Sequence, residues 1–486
     1  MSIINWRTIG DVISKLLIFE TIFFVLCYAV GAWYGEYHPA AFGWPALATL
    51  GTSAILRALG GHGQGQLSRR DAFLILALAW LVFSVFGMLP YLISGAVPDV
   101  SDAFFETMSG FTTTGASVLT HIEDLPHSIL FWRSLTQWVG GLGIVFFTLA
   151  ILPSLGSGDV RLFSGESTGF KLGKLHARFS TTTKWLWGIY TSLTLACAIT
   201  LWVVGMQPFD ALCHALTTAA SGGFSTKQAS IEAFQLPAVE YVLSIFMFLA
   251  AVNFGLLYLL FIKRDWRSLW RDTEFRTYAA ICVGFTLAIA SYMAWTQSYP
   301  IERAFRQALF HVTSLQSSTG FTTTDIDMWP SFTVVLFLVL LTLGGSAGST
   351  AGGYKCIRLY VAYQYARNEM MHLLHPRAYL RINVGGKEHS KVGESLVAFT
   401  FLFIVLIFIG TTSFVLMGDP LIDSLSITIS SLSNAGPALG HQFGANDGWT
   451  ALQPAGKWLS SFLMLAGRLE IFGILLPLYA HFWMND

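Results

Sequence analysis

The sequence predicts an all-α polytopic membrane fold: two leading transmembrane helices, then four pseudo-repeats, each a span, a short re-entrant helix, a glycine loop and a second span. Three observations predict it. The first is composition: of 486 residues, 54% are hydrophobic and only 12% charged, about half the charge of an ordinary soluble domain. The second is a set of apolar segments that approach the ~20 residues needed to cross a bilayer. The third is a Thr-, Ser- and Gly-rich turn presented four times: SGFTTTGAS at Ser109–Ser117, ASGGFS around Gly223, SSTGFT around Gly320 and SNAGPA around Gly436. The glycines Gly115, Gly223, Gly320 and Gly436 are 108, 97 and 116 residues apart. A motif repeated together with its surroundings is far stronger evidence than one glycine turn.

The elements follow in chain order. Arg7 and Lys15 precede the apolar run Leu16–Trp33. The run is long and lacks a convincing small-residue cleavage site, so it reads as a retained span rather than a signal peptide. A weaker span covers Ala40–Leu56, and the glycines from Gly60 to Gly65 then read as a flexible turn. They lack the preceding strand and the Lys-Ser/Thr ending of a phosphate loop. In the four units the first spans cover about Ala72–Val97, Trp185–Met206, Tyr278–Trp295 and Ser395–Met417. The second spans cover about Ser128–Leu152, Tyr241–Ile262, Phe332–Tyr360 and Trp458–Trp483. That makes ten crossings. The helices between them are too short to cross and must enter and return. The expected division is an N-terminal helix pair at 1–66 and repeats at 67–165, 166–265, 266–390 and 391–486.

Charge distribution orients the chain. With the N-terminus inside, the segments 1–16, 57–70, 153–184, 263–276 and 355–391 are cytoplasmic and hold 22 of the 28 Lys and Arg residues. Lys227, Arg303, Arg306 and Lys457 are the exterior exceptions. This is the positive-inside pattern; it places both termini in the cytoplasm and all four glycine turns on the outer half. Formal charge balances to zero, which suggests no nucleic-acid partner. The five cysteines show no C-x-x-C spacing and read as buried free thiols, not a disulfide framework or zinc site.

Backbone bent at glycine inside a membrane is tolerated only where protein or a water-filled cavity surrounds it. Four such turns about one axis would make a ring of carbonyl oxygens able to replace the hydration shell of a cation. Glycine permits the backbone conformation and leaves no side chain in the pore. Each short helix also aims its C-terminal end at the axis, where the macrodipole favours a cation. The candidate filter residues are Thr113, Thr114 and Gly115; Ser221, Gly222 and Gly223; Ser318, Thr319 and Gly320; and Asn434, Ala435 and Gly436. The plainer alternative is four tight turns holding a helix bundle; their equivalent positions favour the ring.

The motifs DAFFETMSGFTTTGAS from Asp102, FDALCHALTTAASGGFST from Phe209, GGSAGSTAGGYKCIR from Gly344, HPRA from His375 and GRLEIF from Gly467 together resemble the Trk/Ktr/HKT potassium-transporter superfamily, most closely its bacterial TrkH branch. The resemblance covers the whole chain. It implies that one chain supplies a whole channel-like pore in the bacterial inner membrane, with K⁺ as substrate bound by filter carbonyls and no cofactor in this chain. It also implies a homodimer among membrane lipid and a separate nucleotide-binding cytoplasmic ring, TrkA. That ring would dock on the basic loops 153–184, 263–276 and 355–391. A filter glycine in all four repeats favours potassium over a sodium-selective variant by analogy. The repeats are less regular than a TVGYG filter, and repeat 4, with Asn434, Ala435 and Pro437, departs most.

A second stretch, Gly344, Gly345, Ser346, Ala347, Gly348, Ser349, Thr350, Ala351, Gly352 and Gly353, lies inside the second span of repeat 3. So much Gly and Ser breaks a helix at mid-membrane. It could plug the pore, and the resemblance implies an intramembrane gating loop; a small-residue packing seam is the alternative. Arg468 sits near the centre of the last span, where a buried Arg is costly. It either projects into the pore as a barrier to cations or pairs with Glu470 or a carbonyl. Lys355 and Arg358 are placed at the cytoplasmic face, as regulator contact, helix cap or interface anchor. The acids Glu106, Glu123, Asp124, Asp325 and Asp327 would draw cations to the mouth or be solvated loop charges, with Glu106 the best structural candidate. His214 and His311 occupy one equivalent position and read as hydrogen-bonded packing residues behind the filter. Three functions stay open: a gated potassium pore, a K⁺/H⁺ or K⁺/Na⁺ symporter using Glu470 or Glu106, and an integral-membrane enzyme. The enzyme would need a His, Asp or Glu cluster facing a shared cavity, and none appears.

Overall fold

The computed structural model describes residues 4–36, 40–60, 68–151, 179–326, 329–375, 383–384, 387–388, 392–440, 443 and 448–484. Asp327, the glycines at 61–65 and most of the basic loops 153–184 and 376–391 lie outside the described residues. Two long helices open the chain, α1 (Trp6–Trp33) and α2 (Ala40–Gly60), packed along one another. The Asn5 side chain caps α1 by accepting from the Thr8 amide at 3.2 Å. Repeat 1 begins with α3 (Arg69–Gly87), closed at its start by a Ser68–Asp71 capping box, and α4 (Leu89–Ser94). The re-entrant α5 (Val100–Phe111) and the second span α6 (His127–Ile151) complete it.

Repeat 2 comprises α7 (Phe179–Val203), the re-entrant α8 (Pro208–Ala219), α9 (Pro237–Ala250) and α10 (Phe254–Phe261), followed by a short α11 (Trp266–Arg271). Repeat 3 comprises α12 (Thr273–Thr296), the re-entrant α13 (Ile301–Gln316), α14 (Ser331–Leu343) and α15 (Cys356–Leu374). A two-residue antiparallel ribbon, β1 (Asn383–Val384) with β2 (Lys387–Glu388), is the strand content of the described residues. Repeat 4 comprises α16 (Val392–Leu416), the re-entrant α17 (Leu421–Ser433), α18 (Pro454–Arg468) and α19 (Phe472–Leu478).

Apolar faces decide how these helices meet. Each first span lies on its own re-entrant helix: α3 on α5, α7 on α8, α12 on α13 and α16 on α17. Each second span lies on the re-entrant helix of the next repeat: α6 on α8, α9 on α13, α14 on α17, and α18 back on α5. The last contact closes a circle. Residues on the outer faces are apolar and exposed; Val397, Phe401, Ile404 and Phe408 form such a stripe on α16 at helical spacing. In water that stripe would be a liability, and in lipid it is the expected surface. The re-entrant helices have 12 to 16 residues. At 1.5 Å rise each is about 18–24 Å long, less than the ~30 Å hydrocarbon core.

Among the described residues, five helices are long and apolar enough to cross a membrane by themselves, or seven if each bent pair is one span; α2, α6 and α14 fall outside that count, which rests on length and composition alone. One expectation is corrected here: the second spans of repeats 2 and 4 are not continuous, since α9 and α10 meet at 105°, and α18 and α19 at 113°. Asn253 makes the first bend stable, because its side chain accepts from the Gly255 amide at 2.7 Å and so caps α10. At the second bend Glu470 and Ile471 both have positive φ, an uncommon conformation for non-glycine residues. All five cysteines are free and buried, as their apolar surroundings predict.

Candidate ion-conduction site

Each re-entrant helix ends in the same way. The residue after its last turn is left-handed but is not glycine: Thr113, Ser221, Ser318 and Asn434, with φ between 51° and 55°. The next amide reaches back five residues: Thr114 to Ser109 O, Gly222 to Thr217 O, Thr319 to Ser314 O and Ala435 to Ser430 O, at 2.8–3.0 Å. This is the Schellman arrangement, which satisfies a helix-end carbonyl. Two residues after the left-handed position stands the repeated glycine, with φ of 84°, 81°, 84° and 93° at Gly115, Gly223, Gly320 and Gly436. Only glycine visits that region at no steric cost.

The four turns abut in sequence. A methyl group placed on Gly115 would strike the carbonyl oxygen of Gly222, and one on Gly223 that of Thr319. One on Gly320 would strike Ala435 O, and one on Gly436 would strike Thr114 O. The contacts run from repeat 1 to 2, 2 to 3, 3 to 4 and back to 1. The four candidate filter triplets therefore meet around one axis, with a carbonyl from the residue preceding each glycine at every junction.

Side chains behind the turns anchor the strand that leaves each of them. Glu106 accepts from the Val118 amide at 3.0 Å and from Ser117 Oγ at 3.0 Å, and is itself held by Arg133 Nε at 2.9 Å. At the equivalent position His214 pairs with Ser225 Oγ at 2.9 Å, while the Thr323 amide approaches His311 Nε2 at 3.5 Å. All three are fully buried, as packing residues behind the turn would be. In repeat 4, where Ile427 takes this position, the neighbouring Ser426 Oγ accepts from the Leu439 amide at 2.5 Å. Of the remaining acids, Asp102 pairs with Lys457 at 2.5 Å and Glu123 accepts from the Gln228 amide at 2.9 Å.

Gly344–Gly353 forms a loop directly against the left-handed residues that end the re-entrant helices of repeats 2 and 3. Gly344, with φ of 69°, ends α14. Ser221 and Thr350 share a hydroxyl hydrogen bond of 2.9 Å, and the Gly352 amide donates to Ser318 Oγ at 2.6 Å. The left-handed residues of repeats 2 and 3 thus hold the loop. The bend after α9 seats its other side: Ser346 N donates to Ala251 O at 3.0 Å, Phe254 N to Gly348 O at 3.0 Å, and Asn253 Nδ2 to Ala347 O at 2.6 Å. Glu274 accepts the Ala347 amide at 2.6 Å.

Arg468, the last residue of α18, is buried and crosses to this loop. Its Nη1 donates to Thr350 O at 3.2 Å and its Nη2 to Gly140 O at 2.7 Å. Its Nε has no hydrogen-bond partner among the described residues. The pairing with Glu470 raised by the sequence does not form; Glu470 binds Arg358 at 2.5 Å. The placement of Lys355 and Arg358 at a cytoplasmic face is also corrected. Both are buried, Lys355 donating to Ala351 O and Arg358 lying 3.7 Å from the Phe399 ring centroid. Two features escaped sequence reasoning. One is the bend that receives the loop, signalled by Asn253 in an apolar run. The other is Gln137, a lone carboxamide within α6, whose donor lies 2.7 Å from Gly222 O.

The family model for TrkH, described as a cation transport protein, matches residues 46–481. The chain belongs to the TrkH family. The TrkH potassium uptake protein of Escherichia coli K12 is 38% identical over 427 residues, covering 86% of this chain and 87% of that one. Its counterpart in Salmonella typhimurium is 34% identical over 485 residues, with 99% of each chain covered. The crystal structure of the potassium transporter TrkH from Vibrio parahaemolyticus superposes with a TM-score of 0.90 at 34% identity, covering 98% of this chain and 99% of that one. TrkH is a family of polytopic membrane transporters, not of enzymes, which agrees with both the fold class and the function class expected from the sequence.

Proposed function

We propose that this chain takes up potassium across the bacterial inner membrane through a gated pore whose filter is the circle of four glycine turns. The observation that carries the reading is the circular sequence of junctions, Gly115 to Gly222, Gly223 to Thr319, Gly320 to Ala435 and Gly436 to Thr114. The substrate comes from the relatives, which are named Trk system potassium uptake proteins. Carbonyls at the four junctions replace the hydration shell of K⁺, and the C-terminal ends of α5, α8, α13 and α17 add a cation-favouring field. The units follow the boundaries 67–165, 166–265, 266–390 and 391–486, with both termini cytoplasmic and two chains paired in the membrane.

Below the filter, the loop 344–353 is the gate and Arg468 its latch. Arg468 places a cation against the loop carbonyl at Thr350, so K⁺ meets like charge there until the loop moves. A cytoplasmic nucleotide-binding ring of the TrkA kind would shift that loop from the basic inner segments, of which 263–276 is described. The symport alternative gains no support from the carboxylates it needs, since Glu106 is paired with Arg133 and Glu470 with Arg358.

The deciding measurement is the reversal potential of purified protein in liposomes under opposed K⁺ and Na⁺ gradients, with pH varied on one side. A potential that follows K⁺ and ignores pH is expected; one that moves with the proton or sodium gradient in fixed ratio would replace the pore with coupled transport. Arg468→Ala is expected to raise basal K⁺ flux at least tenfold, and unchanged flux would remove its role as latch.

A further inference from the structure

We propose that Gln137 is a positioning residue that sets the K⁺-over-Na⁺ discrimination of the repeat 2 filter wall. The inference rests on the pore reading above. Gln137 lies on α6, the second span of repeat 1, and is fully buried. Its Nε2 donates to Gly222 O at 2.7 Å, and its Oε1 accepts from the Phe224 amide at 3.1 Å. The two bonds straddle Gly223, the glycine that shapes the turn. A carboxamide offers a donor and an acceptor on one planar group, so this single side chain fixes the peptide groups on both sides of Gly223.

The sequence around the turn has made room for it. A Cβ at Gly222 would lie 2.9 Å from Gln137 Nε2 and closer still to its carbonyl. The matching residues of the other repeats are Thr114, Thr319 and Ala435, each with a side chain. The doubled glycine of repeat 2 is thus explained by the side chain that packs on it. One helical turn earlier, Arg133 Nη1 donates to Ser225 O at 2.9 Å, so the same face of α6 holds the strand beyond the turn.

The consequence for selectivity follows from ion size. Na⁺ is the smaller ion and gains more than K⁺ when carbonyls close in on it. Gly222 O, tied to a buried amide, cannot close in freely. It also shares its lone-pair density with Nε2, which weakens the field it offers a cation. Both effects act against Na⁺ more than against K⁺, whether selectivity is set by cavity size or by ligand field.

The test is the bi-ionic reversal potential, K⁺ on one side and Na⁺ on the other, of the full-length protein in planar bilayers. It is independent of how many molecules conduct, so a residue that only supports folding does not move it. Gln137→Met keeps the length and removes both bonds; the permeability of Na⁺ relative to K⁺ is expected to rise several-fold. Gly222→Ala displaces the same carboxamide from the other side and is expected to act in the same direction. Should Gln137→Met not reach the membrane, Gly222→Ala decides by the same reading. An unchanged reversal potential in the conducting variants would overturn the positioning role and leave the pore intact. A wild-type protein with no cation-selective potential would instead remove the pore reading before any substitution is made.

Discussion

At the scale of single residues, the backbone at each turn does two unusual things within three positions. A non-glycine residue sits left-handed, and a glycine with positive φ follows two places later. Left-handed backbone costs an L-residue about 1–2 kcal/mol, and such strain persists only where the surroundings over-determine it. Thr113, Ser221 and Ser318 are held by helix-end hydrogen bonds, and Asn434 also by its own side chain, which reaches Met464 O at 2.8 Å and Thr114 Oγ1 at 3.1 Å. Gly320→Ala would add both backbone strain and a collision with Ala435 O. The expected outcome is at least a tenfold loss of K⁺ flux with protein still in the membrane, read by rubidium uptake in transport-deficient cells. Wild-type uptake would mean that this junction does not line the path. The glycines, the hydroxyl-bearing residues before them and the Glu106/His214/His311 position were legible from sequence because each recurs. Gln137 was not, because it acts on a turn 85 residues away and no local pattern joins the two.

Among the elements, two kinds of connection hold the circle of turns together: re-entrant helices stitched to the segments that follow them, and broken spans that cradle the loop. The stitch in repeat 1 is a buried ion pair. Glu106 and Arg133 bring α5 against α6, with nearly all of both side chains out of solvent. Removing one partner strands the other charge and costs about 3–5 kcal/mol. Arg133→Met is therefore expected to lower thermal stability in detergent clearly, while Glu106→Gln, which keeps hydrogen-bonding capacity, should cost less; equal melting temperatures for wild type and Arg133→Met would show that the pair does not hold these helices. The break at Gly344 was readable from composition alone. The bends after Ala250 and Arg468 were not, since an apolar run such as Phe246–Ile262 looks continuous until the loop of another repeat supplies bonds to its interrupted backbone. Ala251 O and Asn253 owe their partners to Ser346 and Ala347.

For the whole molecule, the polytopic helical fold class was visible in sequence, but the circular packing was not. It depends on α18 lying on α5, a contact between the two ends of the chain. Orientation rests on the distribution of Lys and Arg, and labelling can check it. With the native cysteines buried, single cysteines introduced at Lys227 and at Arg271 should react with an impermeant maleimide only from outside and only from inside, respectively. The reverse pattern would invert the topology and put the glycine turns on the inner half.

One chain that closes its own ring differs from four identical chains in how it can vary. In an assembly of identical subunits every codon change appears on all sides of the opening at once, and most such changes are too drastic to keep. Here Gly222, Thr319, Ala435 and Thr114 occupy one shared position in three chemically distinct forms, glycine, threonine and alanine. Each can drift while its three counterparts stay fixed. With the ring as the filter proposed, ion preference can therefore be adjusted in quarter steps, one side at a time, and the side that differs most from the other three is Asn434–Pro437.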